Sequence, residues 1–150
     1  MKWFLVVVMM LLCVPIYATY EKWEKKEGLN SYEKRAVQNM KDYEAGVEEK
    51  VRRDALVELR SLDEKALKEI REELLQDLRE VVKTALKTDN KWRVRVEAPA
   101  TLVRLGAKDA LDALLEVARE YKKKEVRSAC VEAVAKLAER GGAESIKALG

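Results

Sequence analysis

The chain offers few residues with which an enzyme could carry out a reaction. It has no histidine, so the commonest general base and transition-metal ligand is missing. Acidic pairs occur at Glu48-Glu49 and Glu72-Glu73, but acid–base catalysis needs carboxyl groups that converge in a cleft. Adjacent helical residues point about 100 degrees apart, so we expect both pairs on solvated surfaces. A glycine-rich phosphate loop is also missing, and we predict no catalytic, metal or cofactor-binding residue and no enzyme.

The cysteines do not change that view. Cys13 lies in an apolar N-terminal run, whereas Cys130 lies between Val126 and Val134 on the apolar side of a predicted helix. Because no histidine is present to activate it, we expect Cys130 to be a small buried hydrophobic residue.

The charge balance argues against nucleic acid as a partner. The 30 basic and 27 acidic residues are interspersed and leave a formal charge of only +3, whereas nucleic-acid binding calls for a clustered basic face. The densest basic run, Lys122-Lys123-Lys124, is predicted to be a solvated turn. Asparagine and glutamine are scarce while Lys, Glu and Arg abound, a composition typical of heat-adapted proteins.

The N-terminus has the pattern of an export signal. Lys2 precedes an apolar run from Trp3 to Ile16, which is shorter than the roughly 20 residues of a membrane span. We therefore predict a signal peptide over residues 1–18, cleavage after Ala18, and a periplasmic or secreted protein. An uncleaved anchor is one alternative. Lipidation at Cys13 is another, although Leu12 stands where a lipoprotein signal has a small residue.

A repeat near the C-terminus predicts the architecture. One group of residues recurs 32 positions later: Val94-Arg95, Leu102 and Leu105 correspond to Val126-Arg127, Val134 and Leu137. Self-similarity at this period is typical of stacked helical pairs. A further copy, Val51-Arg52, lies 43 residues before Val94-Arg95. The 11 additional residues are close to three helical turns and lengthen a helix expected from Asp63 to Lys87.

Local signals divide the remaining chain. A short helix is expected over residues 19–28, and Asn30 is expected to cap a helix that ends at Gly46. These two form an N-terminal helical cap, residues 19–46, ahead of a repeat domain, residues 47–150. Ser61 and Glu64 suggest a capping box that opens the long helix.

Three further positions are expected to interrupt or end helices. Pro99 predicts a kink or a late helix start, and Gly106 predicts a left-handed helix end. Gly141-Gly142 is expected to break the chain before a last short helix, residues 143–149.

The repeated arginines are the candidate binding residues. Arg52, Arg95 and Arg127 each follow the repeat valine and should lie in register along one edge of the stack. They could pair neighbouring repeats within the chain or form an exposed row that binds a partner.

The segment from Val94-Arg95 through Leu105-Gly106 to Leu114-Leu115 resembles HEAT-like repeats of the phycobilisome-lyase type. Those repeats carry an Asp, four residues and then Val-Arg, as Asp89 and Val94-Arg95 do. Gly46 and Tyr121 stand at the Asp position in the other two copies. The resemblance covers residues 48–149 and implies a right-handed stack with a curved surface for binding proteins.

Together these features predict an all-α protein, a short right-handed α-solenoid of stacked antiparallel helix pairs with about six helices after the signal peptide. We expect an exported scaffold for protein–protein interaction or assembly in the cell envelope. The alternatives are a helical hydrolase that uses carboxylates alone and a permanent structural or regulatory subunit. Ile146 and Leu149 are expected to shield the final apolar stripe incompletely, so that the C-terminal edge docks onto a second copy or a partner.

Overall fold

Helices account for all the regular structure in the described part of the chain. A computed structural model describes residues 18–149, with side chains through residue 141. Residues 1–17 of the predicted signal peptide, which include Cys13, and the side chains of Ile146 and Leu149 lie outside the described residues. The helices are α1 (Thr19–Glu24), α2 (Ser31–Glu44), α3 (Glu49–Arg60), α4 (Glu64–Glu69), α5 (Glu72–Thr88), α6 (Trp92–Arg95), α7 (Ala98–Arg104), a 3-10 turn (Lys108–Ala110), α8 (Leu111–Glu120) and α9 (Lys124–Leu149).

The helices stack in two layers. The first layer contains α3, α6 with α7, and α9, and the second contains α2, α5 and α8; neighbours within each layer are in contact. Across the layers, α2 packs on α3, α5 packs on α6 and α7, and α8 packs on α9. This arrangement confirms the predicted all-α solenoid of stacked helix pairs. Because α2 packs like a regular second-layer helix, it extends the stack toward the N-terminus. The division at residues 46 and 47 stays a prediction.

Trp23 ties the short first helix to the body of the protein. Its ring is completely buried, and its Nε1 donates a hydrogen bond to Oδ2 of Asp77 on α5, at 2.6 Å. Lys22 approaches the same carboxylate at 3.1 Å. Burial of a large aromatic ring with its polar atom satisfied is a strong anchor, so α1 is held firmly against α2 and α5.

The helix from Asp63 to Lys87 is not continuous, contrary to the prediction. Ile70 and Arg71 are extended, with ψ angles of 128° and 144°, and they separate α4 from α5. The predicted capping box is also wrong, because Asp63 rather than Ser61 accepts the hydrogen bond from the backbone of α4. Glu33, which is 2% exposed, accepts hydrogen bonds from the backbone N–H and the guanidinium of Arg71. The bond to the backbone N–H gives Arg71 the partner that it would otherwise have within a continuous helix.

Other predicted boundaries are confirmed. Asn30 and Glu33 form a capping box at the start of α2. Pro99 lies in the first turn of α7, so the helical segment restarts there after α6. Gly106 has a φ of +67°, which an L-residue adopts only with strain, and it ends α7.

The predicted break at Gly141-Gly142 is wrong, because α9 continues to Leu149. A glycine inside a helix costs about 1 kcal/mol relative to alanine, which is too little to end a helix held elsewhere. Val126, Cys130 and Leu137 are buried on one face of α9, and Arg140 donates a hydrogen bond to the carbonyl of Val103, at 2.9 Å. Tertiary contacts therefore outweigh the local signal.

The number of helices also differs from expectation. Two predicted helices are each divided in two, at Ile70 and before Pro99, and nine α-helices rather than about six appear within residues 18–149. No helix in that range has the length and apolar character needed to cross a bilayer.

Candidate protein-interaction surface

The loops that precede α3, α6 and α9 lie along one edge of the stack. We call residues 45–48, 89–91 and 121–123 the loop edge. The repeat arginine in each following helix folds back over its own loop and donates to a carbonyl five or six residues earlier. Arg52 donates to Val47, at 2.8 Å, Arg95 donates to Asp89, and Arg127 donates to Tyr121, at 2.7 Å. The same local device thus fixes all three loops.

Two of these arginines also reach the next repeat. Arg52 donates to both carboxylate oxygens of Asp89, at 2.9 and 3.2 Å, and to the side-chain oxygen of Asn90, at 3.2 Å. At the following step Tyr121 stands in place of an aspartate, and the guanidinium of Arg95 lies over its ring, 4.7 Å from the centroid. A cation–π contact therefore replaces the ion pair. We call Arg52, Arg95 and Arg127 the arginine ladder.

Asp89, the acidic partner of Arg52, is more deeply buried than that arginine. Its side chain is 3% exposed and also accepts hydrogen bonds from the Tyr43 hydroxyl, at 3.0 Å, and the Lys91 backbone N–H, at 2.9 Å. Burial acts to raise the pKa of Asp89, but the bonds from Arg52, Lys91 and Tyr43 outweigh it and hold that pKa below its ordinary value. Burial and the neighbouring carboxylate raise the pKa of Tyr43. Asp89 is therefore ionised at neutral pH.

The structure places the arginine ladder in contacts within the chain and between neighbouring repeats. The side chain of Arg52 is 14% exposed, and Arg95 and Arg127 are half-buried. Direct binding of a partner by these guanidinium groups stays a prediction, as does binding by Ile146 and Leu149. The ladder's visible role is to hold the loops at fixed positions.

Several side chains in the loop edge and in the helical turns next to it are exposed or partly exposed. Val47 is 92% exposed and Val51 is 40% exposed, although the valines equivalent to Val51 in the later repeats are buried. Trp92 is half-buried, and its ring is flanked by Arg93 and Lys123, whose cationic groups lie 5.3 and 5.2 Å from the centroid. This edge therefore presents apolar, aromatic and basic groups together. Trp92 was not among the predicted surface residues, although its position three residues before Arg95 places it near the ladder.

The last described helix has one buried and one exposed apolar face. Val126, Cys130 and Leu137 are buried on the side of α9 that contacts α7 and α8. The opposite face of α9 carries Val131, which is 59% exposed, and it continues through exposed alanines at positions 135 and 138. Docking of the C-terminal edge onto a second copy or a partner stays a prediction.

Cys130 is a buried thiol, as predicted. Burial raises its pKa to about 11. Because the thiolate is the reactive form, Cys130 is unreactive in the folded protein.

Four acidic side chains, Glu33, Glu69, Glu72 and Glu73, line a cavity of about 560 Å³ beside the break between α4 and α5. Three of its lining acids each have a basic partner: Glu33 pairs with Arg71, Glu72 with Arg79 and Glu73 with Lys26. Glu72 and Glu73 have highly exposed side chains. Among the described residues, no cluster of three or more acidic, Cys or His side chains could hold a metal ion.

Comparisons with known proteins agree with the geometry. The sequence profile of the family described as HEAT repeats matches residues 45–135, a span that contains α3 to α8 and the first half of α9. No curated protein matches the chain. No solved structure matches it either.

Proposed function

The chain belongs to the HEAT-repeat family, whose members generally mediate protein–protein interaction, and we propose that it is an exported scaffold that binds a protein partner in the cell envelope through the loop edge. The observation that carries this proposal is the arginine ladder. It fixes three loops in register and leaves Val47, Trp92, Arg93 and Lys123 accessible beside it.

A fixed edge favours binding for an energetic reason. Ordering flexible loops on association consumes part of the binding free energy. Here Arg52, Arg95 and Arg127 already hold the loop carbonyls, at 2.7–2.8 Å for Arg52 and Arg127. The loops therefore lose little further freedom when a partner binds.

The exposed groups indicate the chemistry of the partner. Val47 and Trp92 offer apolar surface, and Arg93 and Lys123 offer positive charge at the rim. Aromatic and arginine side chains often contribute most to protein interfaces, and rim charges steer association. We expect a protein segment that presents an apolar side chain flanked by carboxylates.

Export is part of the proposal and is supported by the N-terminal sequence. Lys2 and the apolar run to Ile16 precede a small-residue site at Ala18. The closer likeness to phycobilisome-lyase-type repeats is likewise proposed. It is supported by Asp89, which occupies the motif's aspartate position and receives Arg52 of the preceding repeat.

The rival functions predict other surfaces. A carboxylate hydrolase needs unpaired acids that converge, whereas Glu33, Glu72 and Glu73 each have a basic partner. A permanent subunit or homo-oligomer would use the outward face of α9 around Val131. Light scattering across a concentration series, with Val131→Glu beside the unmodified chain, tests that alternative.

The binding proposal is tested by cross-linking in envelope fractions of the source cell. The loop-edge variant combines Arg93→Glu and Lys123→Glu, and its control combines Lys34→Glu and Lys65→Glu, exposed lysines on α2 and α4. Both variants change the net charge by the same amount. We expect the cross-linked partner band to be lost only in the loop-edge variant. Equal yields from the two variants would refute binding through this edge.

A further inference from the structure

The first backbone nitrogen of α1 is held by a distant carboxylate. The N–H of Thr19 donates to Oε2 of Glu44, at 2.7 Å, although 25 residues separate them. The first N–H groups of a helix have no partner within the helix, so this bond satisfies one of them. The other oxygen, Oε1 of Glu44, is buried and has no hydrogen-bond donor among the described residues.

The space around this contact could accept a larger donor. A cavity of about 240 Å³ adjoins Thr19 and Glu44 and is also lined by Ala18, Tyr43 and Glu80. Burial raises the pKa of the Glu44 carboxyl, and hydrogen bonds from the backbone and side chain of Thr19 and from the backbone of Tyr20 only partly oppose that effect. A second carboxylate, Glu80, lies at the cavity and pairs with Lys83, at 2.9 Å. The site is therefore acidic, and one oxygen of Glu44 still lacks a donor among the described residues.

We propose that Glu44 is the binding site for a new N-terminus: the α-ammonium group of Thr19, formed when the Ala18–Thr19 bond is cleaved. This inference rests on the export part of the proposed function, because that cleavage is the expected signal-peptide processing step. It adds a structural role for the released terminus.

The chemistry of processing creates the required donor. Hydrolysis adds one water across the amide bond, so that Ala18 leaves as a carboxylate and the nitrogen of Thr19 becomes an amine. The amine takes up a proton and becomes an ammonium group with three N–H donors. A neutral donor with one N–H is thereby replaced by a cation beside Glu44. Charge-assisted hydrogen bonds are stronger than neutral ones, and the additional N–H groups can reach Oε1.

The pH dependence has a defined sign. Pairing with Glu44 raises the pKa of the Thr19 amine above the value of about 7.7 that is ordinary for a chain terminus. A basic group whose pKa is higher in the folded chain than in the unfolded chain stabilises the fold. This stabilisation is complete at a pH below the unfolded-state pKa and is lost as the pH rises through the folded-state pKa. The other ionisable groups at this contact are Glu21 on α1, Tyr43 and Glu80.

The test compares two purified chains with defined starts. One begins at Thr19 and the other retains Tyr17 and Ala18, so that its ammonium group lies two residues farther from Glu44. Each is also made with Glu44→Gln. We expect the chain that begins at Thr19 to melt about 3–6 °C higher at pH 6.5, with the difference closing at pH 10 and absent in the Glu44→Gln pair. Equal melting temperatures, or a difference that persists without the carboxylate, would refute the site.

Two further measurements separate the possible failures. An NMR titration of the Thr19 amine in the unmodified chain reports its pKa even if Glu44→Gln does not fold, and an ordinary value would refute the pairing. N-terminal sequencing of protein exported from the full chain tests the processing step. If the exported protein begins at a residue other than Thr19, the predicted cleavage after Ala18 is refuted. If the two defined chains melt at the same temperature, binding of the ammonium group by Glu44 is refuted.

Discussion

Arg52 and Asp89 join the first two repeats through a bidentate contact, with guanidinium–carboxylate distances of 2.9 and 3.2 Å. They lie 37 residues apart in the chain. Both are largely buried, with side chains 14% and 3% exposed. Buried partners of this kind depend on each other, because removing one leaves the other as an unpaired charge.

Arg52→Met should therefore destabilise the protein strongly. We expect a loss of about 3 kcal/mol in the free energy of unfolding at pH 7, measured by urea denaturation. The matched control is Arg53→Met on the same helix, since Arg53 is 49% exposed and its partner Glu97 retains Arg60. That variant should lose less than about 1 kcal/mol. Similar losses in both would mean that the ladder contact is not a structural tie.

Glu33 should make the free energy of unfolding depend on pH in the acidic range. The hydrogen bond from Arg71 holds its pKa below the ordinary value of 4.5. An acid whose pKa is lower in the folded chain than in the unfolded chain stabilises the fold. This stabilisation is complete at a pH above the unfolded-state pKa and is lost as the pH falls through the folded-state pKa. Glu33→Gln should cost about 2 kcal/mol at pH 7, and the cost should shrink below about pH 4.

The control for that profile is Glu58→Gln. Glu58 pairs with Arg35 at the surface, where both side chains are at least half exposed, so its effect should be small at every pH. A constant difference between Glu33→Gln and the unmodified chain from pH 7 to pH 3 would contradict the assignment.

Two glycines should respond in opposite directions to alanine. A β-carbon at Gly46 would collide with the carbonyl oxygen of Asp42, so Gly46→Ala should destabilise the protein by more than about 1 kcal/mol. A β-carbon at Gly141 meets nothing within 4 Å, and the residue lies inside α9. Gly141→Ala should thus stabilise the protein by about 0.5–1 kcal/mol. Thermal melting followed by circular dichroism would show both, and destabilisation by Gly141→Ala would argue against a continuous α9.

Leu102 and Val134 occupy equivalent repeat positions but differ in burial. Leu102 is completely buried, because α7 contacts α3, α5 and α9, whereas Val134 on α9 is only half-buried. Leu102→Ala should cost about 2–5 kcal/mol and Val134→Ala about 1 kcal/mol. Lys123→Ala serves as the surface control in the same urea series. Equal losses at the two apolar positions would favour the strict equivalence that the sequence repeat suggested.

The features that the sequence predicted correctly have local causes. The Asn30 cap and the Gly106 turn depend on residues close together in the chain, and the 32-residue repeat is visible because each copy carries the same local pattern. The break at Ile70 and Arg71 has no such local cause. Apolar residues keep helical spacing through it, and the interruption depends on Glu33, which lies 38 residues from Arg71. Periodicity cannot show such a contact.

For the candidate surface, the sequence predicted the alignment of the arginines but not their partners. The repeat valine placed Arg52, Arg95 and Arg127 in register, because equivalent residues in stacked repeats share an edge. The sequence did not show that Tyr121 receives Arg95 through its ring. It also did not show that Trp92 lies between Arg93 and Lys123, since Lys123 belongs to a different repeat and only the stacking brings them together.

The burial of Cys130 gives the protein an internal reporter of local opening. Its thiol lies beneath α7 and α8, has no exposed surface and has a pKa raised to about 11. An alkylating reagent can therefore modify it only during the moments when α9 separates from its neighbours. In a chain that has lost residues 1–18, no other cysteine competes for the reagent. When reclosing is faster than modification, the labelling rate is proportional to the population of the open state. The stability of the last helix can thus be read under native conditions, without denaturant and without introducing a probe.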